Sequence, residues 1–269
     1  MSATQSPGIA VITGASSGIG AVYADRLARR GYDLILVARN AERLTALAER
    51  LIRETGQSIE TVVADLTDQA DLARVEALLK TNPRVTLLVN NAGTGATAPL
   101  LASDVNKMEA MITLNVTALT RLTYAAVPGF VARGNGTLIN IASIVAIAPE
   151  MLNGVYGASK AFVLAFSQSL LHELAAKNVR VQAVLPGATA TEFWDLAGLP
   201  VKNLPEAWVM TADEMVDASL SGLDQGEFVT IPALADGSQW DGYEAARQVL
   251  RPNLSRAQAA ARYSIGTAA

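Results

Sequence analysis

Ile9-Ala10-Val11-Ile12-Thr13-Gly14-Ala15-Ser16-Ser17-Gly18-Ile19-Gly20 is the stretch on which the reading of this chain turns. Ile9–Thr13 is apolar or β-branched throughout, as a strand covered on both faces should be. The glycines that follow allow a tight turn. From Ala21 to Arg30 the pattern becomes that of an amphipathic helix. A strand, a glycine turn and a helix in that order make a place where backbone N–H groups can approach a diphosphate, with the positive end of the helix dipole aimed at the anion.

The same rhythm continues outward from this unit. Short aliphatic runs at Leu34–Val37, Ile59–Val63, Val85–Val89, Thr137–Ile141, Val179–Val184 and Phe228–Ile231 read as strands. Between them lie helical patterns: Ala41–Glu54, with Leu44, Leu47, Leu51 and Ile52 at helical spacing, then Asp68–Lys80, Val105–Arg133, Tyr156–Lys177 and Ala212–Leu223. Regular strand–helix alternation predicts an α/β Rossmann fold, a doubly wound seven-stranded parallel sheet flanked by helices. No linker, repeat or low-complexity tract interrupts residues 1–269, so one domain is expected. Thr189–Met210 has no clear period and is expected to form a flap. Residues 233–269 form a C-terminal extension, with a helix at Gly242–Leu250, another from Ser255, and a frayed end.

Composition narrows the function. Of 269 residues, 51% are hydrophobic and 17% charged, enough for a large core. Lys and Arg number 21 against 25 Asp and Glu, with no basic run, so no nucleic-acid partner is expected. Cysteine is absent, which excludes disulfides, thiol nucleophiles and thiolate metal sites. The single histidine, His172, falls within a helical pattern and reads as a packing or surface residue, so neither a metal site nor a Ser-His triad is expected. There is no secretory signal at the N-terminus and no apolar run long enough to span a membrane, so a cytoplasmic protein is the expectation.

One constellation carries chemistry. Tyr156 lies thirteen residues after Ser143, and Lys160 four after Tyr156. Residues four apart on a helix share a face. An ammonium near a phenol lowers the phenol pKa, and a serine hydroxyl from a separate segment can hold a carbonyl oxygen beside it. The set can move a proton on and off an oxygen, the partner step of hydride transfer at carbon.

The order of motifs resembles the short-chain dehydrogenase/reductase family, in its branch of shorter subunits. Thr13–Gly20, with Gly14, Ser16, Ser17, Gly18, Ile19 and Gly20, matches the family's cofactor motif. Asp65-Leu66 matches its adenine-side motif, and Asn90-Asn91-Ala92-Gly93 follows the fourth strand as in the family. Ser143, Tyr156 and Lys160 match its catalytic triplet, and Pro186-Gly187 with Thr189 and Thr191 matches the segment that meets the nicotinamide. A mid-helix asparagine by itself reads as a surface or bend residue; the resemblance makes Asn115 a fourth catalytic residue that anchors a water relay near Lys160. It also makes Tyr156 the general acid/base, gives Ser143 the substrate oxygen and Lys160 the nicotinamide ribose, and assigns the carboxamide to Thr191. Hydride comes from the cofactor.

Cofactor choice follows from charge. An acid after the second strand would bind the ribose 2′-OH of NAD and repel a 2′-phosphate. That slot is Ala38, and Arg39 follows, so NADP(H) is favoured over NAD(H). Some NADP-using relatives carry a second basic residue at the position held here by Ser17. Phe193, Trp194, Leu196, Leu199, Trp208 and Met210 in the flap, with Met151, Leu152 and Val155 before the tyrosine, suggest an apolar or aromatic ketone, aldehyde or secondary alcohol. The same residues also read as mere flap packing. The resemblance implies a homodimer or homotetramer built on the two long helices, with Ala158, Ala161 and Ala165 permitting close approach. A non-catalytic nucleotide-sensing protein is the competing reading, and an epimerase or dehydratase a third.

Overall fold

The computed structural model describes residues 7–263. Residues 1–6 and the expected frayed end lie outside them. In chain order the elements are β1 (Ile9–Thr13), α1 (Gly18–Arg29), β2 (Asp33–Ala38), α2 (Ala41–Thr55), β3 (Ile59–Val63), α3 (Gln69–Thr81) and β4 (Val85–Asn90). Then come α4 (Val105–Ile112), a π-helical turn (Thr113–Ala118), α5 (Leu119–Arg133), β5 (Gly136–Ile141), α6 (Gly154–Leu174) and β6 (Val179–Val184). α7 (Phe193–Leu196), α8 (Ala212–Gln225), β7 (Val229–Thr230) and α9 (Ser238–Leu250) complete the series.

Among the described residues seven strands form one parallel sheet, in the order β3-β2-β1-β4-β5-β6-β7. This is the doubly wound Rossmann arrangement that the alternation predicts. Winding reverses between β1 and β4, and the crevice beyond their carboxyl ends is where such sheets bind ligands. Alternate residues of each central strand face opposite layers. Ala10, Ile12, Leu34 and Leu36 pack under α1, α2 and α8, while Val11, Ile35, Val37 and Leu88 pack under α3, α5 and α6.

Several expectations about the helices change; α9 begins at Ser238 rather than Gly242. The first helix begins at Gly18, inside the glycine motif, rather than at Ala21. The continuous helix read over Val105–Arg133 is interrupted by the π turn, with consequences for Asn115 described below.

Residues up to Pro232 form one compact unit that holds the sheet, and residues from Ala233 form a second. In the second unit α9 packs the Trp240 ring against that of Tyr243 in a tilted arrangement (ring centroids 5.3 Å apart) and pairs Arg247 with Glu244. Among the described residues no helix starts at Ser255, and a 3-10 turn at Ala261–Tyr263 is the helical element described beyond it. Alanines favour a helix over 257–261, but a short helix without an apolar stripe to bury is marginal in water.

Candidate active site

The glycine turn is fixed from two sides. Thr13 Oγ1 donates to the Val89 carbonyl and accepts from the backbone N–H groups of Asn91 (3.0 Å) and Ala92 (3.0 Å). Asn91 Nδ2 donates to the carbonyl of Thr13 at 2.8 Å. The loops after β1 and β4 are thereby locked together at the winding reversal. Gly14 and Gly18 have φ of +66° and +52°, where a side chain would be strained. A Cβ on Gly14 would sit 2.9 Å from Ala92 Cα, and one on Gly20 would strike the Gly14 carbonyl.

α1 then starts without a cap. Ser17 makes no side-chain capping bond, and the first turn carries no acid. By contrast α2, α3, α4, α6 and α8 are all capped by a side chain, from Asn40, Asp68, Asp104, Asn153 and Thr211 respectively. Open N–H groups at a helix start, framed by glycines, suit a diphosphate. The residues present therefore fit a nicotinamide dinucleotide.

On the adenine side Ala38 is buried at the end of β2, and Arg39 is 75% exposed, 4.0 Å from Asp65. Asp65 is engaged with Thr67 through both the backbone N–H and the hydroxyl, which lowers its pKa, with a smaller contribution from Arg39. The guanidinium thus stands at the mouth of the cleft with only a distant partner. Leu66 and Ile19 are packing residues, against the α3/α5 and α1/α2 layers respectively.

Ser143 lies two residues beyond the end of β5, and Tyr156 lies on the first turn of α6. Asn153 caps that helix by accepting from the N–H groups of Val155 (2.9 Å) and Tyr156 (3.3 Å). Its Nδ2 donates to the Ala98 carbonyl at 2.6 Å, tying the tyrosine's turn to the loop after β4. The Ser143 hydroxyl donates to the Pro186 carbonyl at 3.4 Å, accepts from the Val145 N–H at 3.3 Å, and lies close enough to the Tyr156 phenol to lower its pKa. Ile144 N donates to the Pro186 carbonyl at 3.0 Å, which brings the Pro186-Gly187 segment alongside. Thr189 Oγ1 donates to the Gly187 carbonyl, and Thr191 lies against Gly18.

Lys160 is buried and its Nζ donates to the Ile141 carbonyl at 2.9 Å, 6.0 Å from the centre of the Tyr156 ring. Here one expectation is corrected. In the protein alone the tyrosine pKa is, on balance, raised rather than lowered. Burial dominates and pushes Tyr156 up to about 12, partly offset by the Ser143 hydroxyl. Burial also pushes Lys160 down to about 8. Both shifts have the physical origin expected of groups that lose water.

Asn115 is 2% exposed. The π turn brings it inward: its Nδ2 donates to the Thr94 carbonyl (2.8 Å) and Ser159 Oγ (3.1 Å), and its Oδ1 accepts from Thr94 N (2.9 Å). A Cβ on Gly93 would lie 3.1 Å from Asn115 Oδ1 and 3.5 Å from Lys160 Nζ, so these three residues share one wall. The surface reading of a mid-helix asparagine fails because helical pitch changes under it. His172 lies on the exposed face of α6.

Around the phenol, Tyr156 clusters with Met111 and Val145, and with Ala96, Met108, Ile144, Leu152, Val155 and Phe193. The Phe193 ring lies 5.7 Å from that of Tyr156, in a gap kept open by Gly95, where a Cβ would strike the Phe193 ring. Met151 is exposed, while its neighbour Leu152 joins the cluster. Trp194 is buried and donates Nε1 to the Thr189 carbonyl at 3.0 Å, which makes it an anchor of the flap. Leu196 and Trp208 are exposed, and Met210 packs against the α1/α2 layer. The flap's ends are joined by a parallel bridge between Thr189 and Met210. Sequence reading missed Asn153, whose place three residues before the tyrosine is an N-cap signal. It also missed Gly95 and the contacts of Met108 and Met111, which have no local signal.

Among the described residues no cluster of three metal-ligating side chains occurs, and no helix is long and apolar enough to cross a membrane.

A family model described as short chain dehydrogenase matches residues 8–198. Human 17-beta-hydroxysteroid dehydrogenase type 3 is 35% identical over 79% of this chain and 67% of its own length. Sulfoacetaldehyde reductase 2 of Chromohalobacter salexigens is 41% identical over 69% of this chain and 74% of its own. Among solved structures, a short-chain dehydrogenase from Sphingobium yanoikuyae in complex with NADPH is 51% identical, with a TM-score of 0.91 over 94% of this chain and 98% of that one. The bulky-bulky ketone specific alcohol dehydrogenase from Comamonas testosteroni is 45% identical, with a TM-score of 0.88 over 95% of this chain and 98% of that one. The chain belongs to the short-chain dehydrogenase family and is an oxidoreductase acting on CH–OH groups.

Proposed function

We propose that this protein is an NADP(H)-dependent dehydrogenase/reductase that interconverts a ketone or aldehyde with an alcohol, with Tyr156 as general acid and base. The observation that carries the reading is the meeting of the Tyr156 phenol with the Ser143 hydroxyl at the same sheet edge as the uncapped start of α1. When bound, the dinucleotide supplies or accepts the hydride at carbon. In reduction Tyr156 gives its proton to the carbonyl oxygen; in oxidation it takes one from the alcohol. The Ser143 hydroxyl donates to that same oxygen and holds it at the phenol. Lys160, on the wall it shares with Asn115 and Gly93, stabilises the phenolate as it forms and positions the ribose hydroxyls. Asn115 anchors the water of the proton relay by holding the Thr94 turn. Arg39, directly after a non-acidic Ala38, pairs with the 2′-phosphate.

The substrate is an apolar or aromatic carbonyl compound. Val155, Leu152, Ile144 and Phe193 around the phenol support this, as does the described specificity of the Comamonas testosteroni relative for bulky ketones. The protein works in the cytoplasm as a homodimer or homotetramer.

The test is turnover of ketones carrying two bulky substituents, followed through NADPH oxidation. Steady turnover is expected, and tight NADPH binding without turnover of any carbonyl or alcohol would instead indicate a nucleotide sensor. Tyr156→Phe is expected to lower kcat by at least about 100-fold while NADPH still binds. Arg39→Ala is expected to weaken NADPH far more than NADH; equal weakening of both would remove the phosphate assignment.

A further inference from the structure

The flap and α2 are joined by an ion pair that neither the proton chemistry nor the phosphate assignment uses. Arg43 is in the first turn of α2, four residues beyond Arg39, and Glu192 follows Thr191 directly. The two meet as a fork: Nη1 to Oε2 at 2.6 Å and Nη2 to Oε1 at 3.0 Å. One residue earlier, the Thr191 methyl lies 3.0 Å from where a Cβ on Gly18 would be. The chain at 191–192 therefore crosses from the open start of α1 to the start of α2, over the mouth of the glycine turn. The flap's other anchors are elsewhere. Thr97 N and Oγ1 both donate to the Ala197 carbonyl, and Thr189 pairs with Met210.

We propose that the Arg43–Glu192 pair is a clasp that holds the flap across the dinucleotide cleft and sets how fast the cofactor leaves. The proposal rests on the NADP(H) reading above and deepens it. Arg43 and Glu192 act as positioning residues: they touch neither substrate nor reacting atoms, and work by keeping Thr191 against α1. Both side chains remain about half exposed, at 48% and 57%. An exposed pair of this kind shifts an equilibrium by only about two- to fivefold. A closure of that strength holds a bound dinucleotide yet opens on each exchange. The bidentate geometry favours one register of the flap over others.

Release of NADPH and of NADH is measured by stopped-flow fluorescence from the wild type, Arg43→Gln, Glu192→Gln and the double variant. Each single variant is expected to release both cofactors about two- to fivefold faster, with the double variant no faster than either single. The charge swap Arg43→Glu with Glu192→Arg is expected to restore slow release. Added salt is expected to narrow the difference in release rate between the wild type and the variants. A second readout needs no cofactor: amide hydrogen exchange over 193–208 in the protein alone is expected to be faster in each single variant. Unchanged release and exchange in the single variants would overturn the clasp. So would an effect confined to NADPH, with Arg43→Gln weakening and Glu192→Gln tightening it, because Arg43 would then be a phosphate ligand that Glu192 opposes. A wild type that binds no NADPH would sink the cofactor reading, an outcome distinct from normal binding with unaltered release.

Discussion

Tyr156 and Lys160 are displaced from their ordinary pKa values in opposite directions by one cause, the loss of water around both. A phenol near 12 is protonated throughout the neutral range, so the proton donor for carbonyl reduction is loaded at pH 7. Alcohol oxidation needs the phenolate and is expected to accelerate as pH rises, which rate profiles in the two directions would show. Lys160 carries a stability cost with a definite pH signature. Its folded pKa, about 8, is below its ordinary value of 10.5. Between these limits the unfolded chain holds a proton that the folded chain has released, so stability rises with pH across the window. Below about pH 8 the cost is fully present. Lys160→Met is therefore expected to gain more stability over the wild type at pH 7 than at pH 10, measured by urea unfolding, while losing activity. An equal difference at the two pH values would show that burial does not penalise the ammonium. Lost bonding to the Ile141 carbonyl subtracts a pH-independent amount, about 1 kcal/mol, and does not alter the trend.

The decisive element is the π turn at Thr113–Ala118, which converts what reads as one long helix into α4 and α5 with Asn115 facing inward. Its side chain satisfies both backbone groups of Thr94 and so holds the loop that follows β4. Asn115→Ala leaves that N–H and carbonyl without their partner, at a cost of about 1–3 kcal/mol, visible as a lowered urea midpoint. The wall formed with Gly93 and Lys160 is expected to loosen too, so kcat should fall with little change in α-helical content by circular dichroism. Strands were far easier to read than this turn. The apolar runs of the central strands accompany burial on both faces, and the ends of β1, β6 and the half-exposed edge strand β3 agree with the expected ends. Helical pitch leaves no mark in the apolar pattern, so the π turn was invisible.

Across the whole molecule, the outer faces of α5 and α6 carry a line of rings: Tyr124 stacks on Phe166 (6.4 Å), and Phe166 on Phe162 (5.7 Å), with Tyr124 and Phe162 exposed. Ala158 and Ala165 share the exposed side of α6 and leave room for close helix approach. This face suits the proposed self-association, because exposed aromatic patches favour contact with another apolar surface. Phe162→Glu is expected to shift the particle to monomer in light scattering while the fold persists. An unaltered mass would place the interface elsewhere.

Local chemistry, read from the sequence alone, determined the strand–helix alternation, the glycine turn, the family and the Ser143–Tyr156–Lys160 set. Each depends on residue type at short spacing, where backbone geometry and side-chain character act directly. Tertiary structure alone decided that Asn115 is buried and that Gly95 makes room for Phe193 beside the phenol. It alone decided that burial raises the tyrosine pKa on balance, and that Glu192 reaches Arg43, 149 positions away. Those outcomes depend on which segments the fold brings into contact and how much water it removes, and no local pattern encodes either.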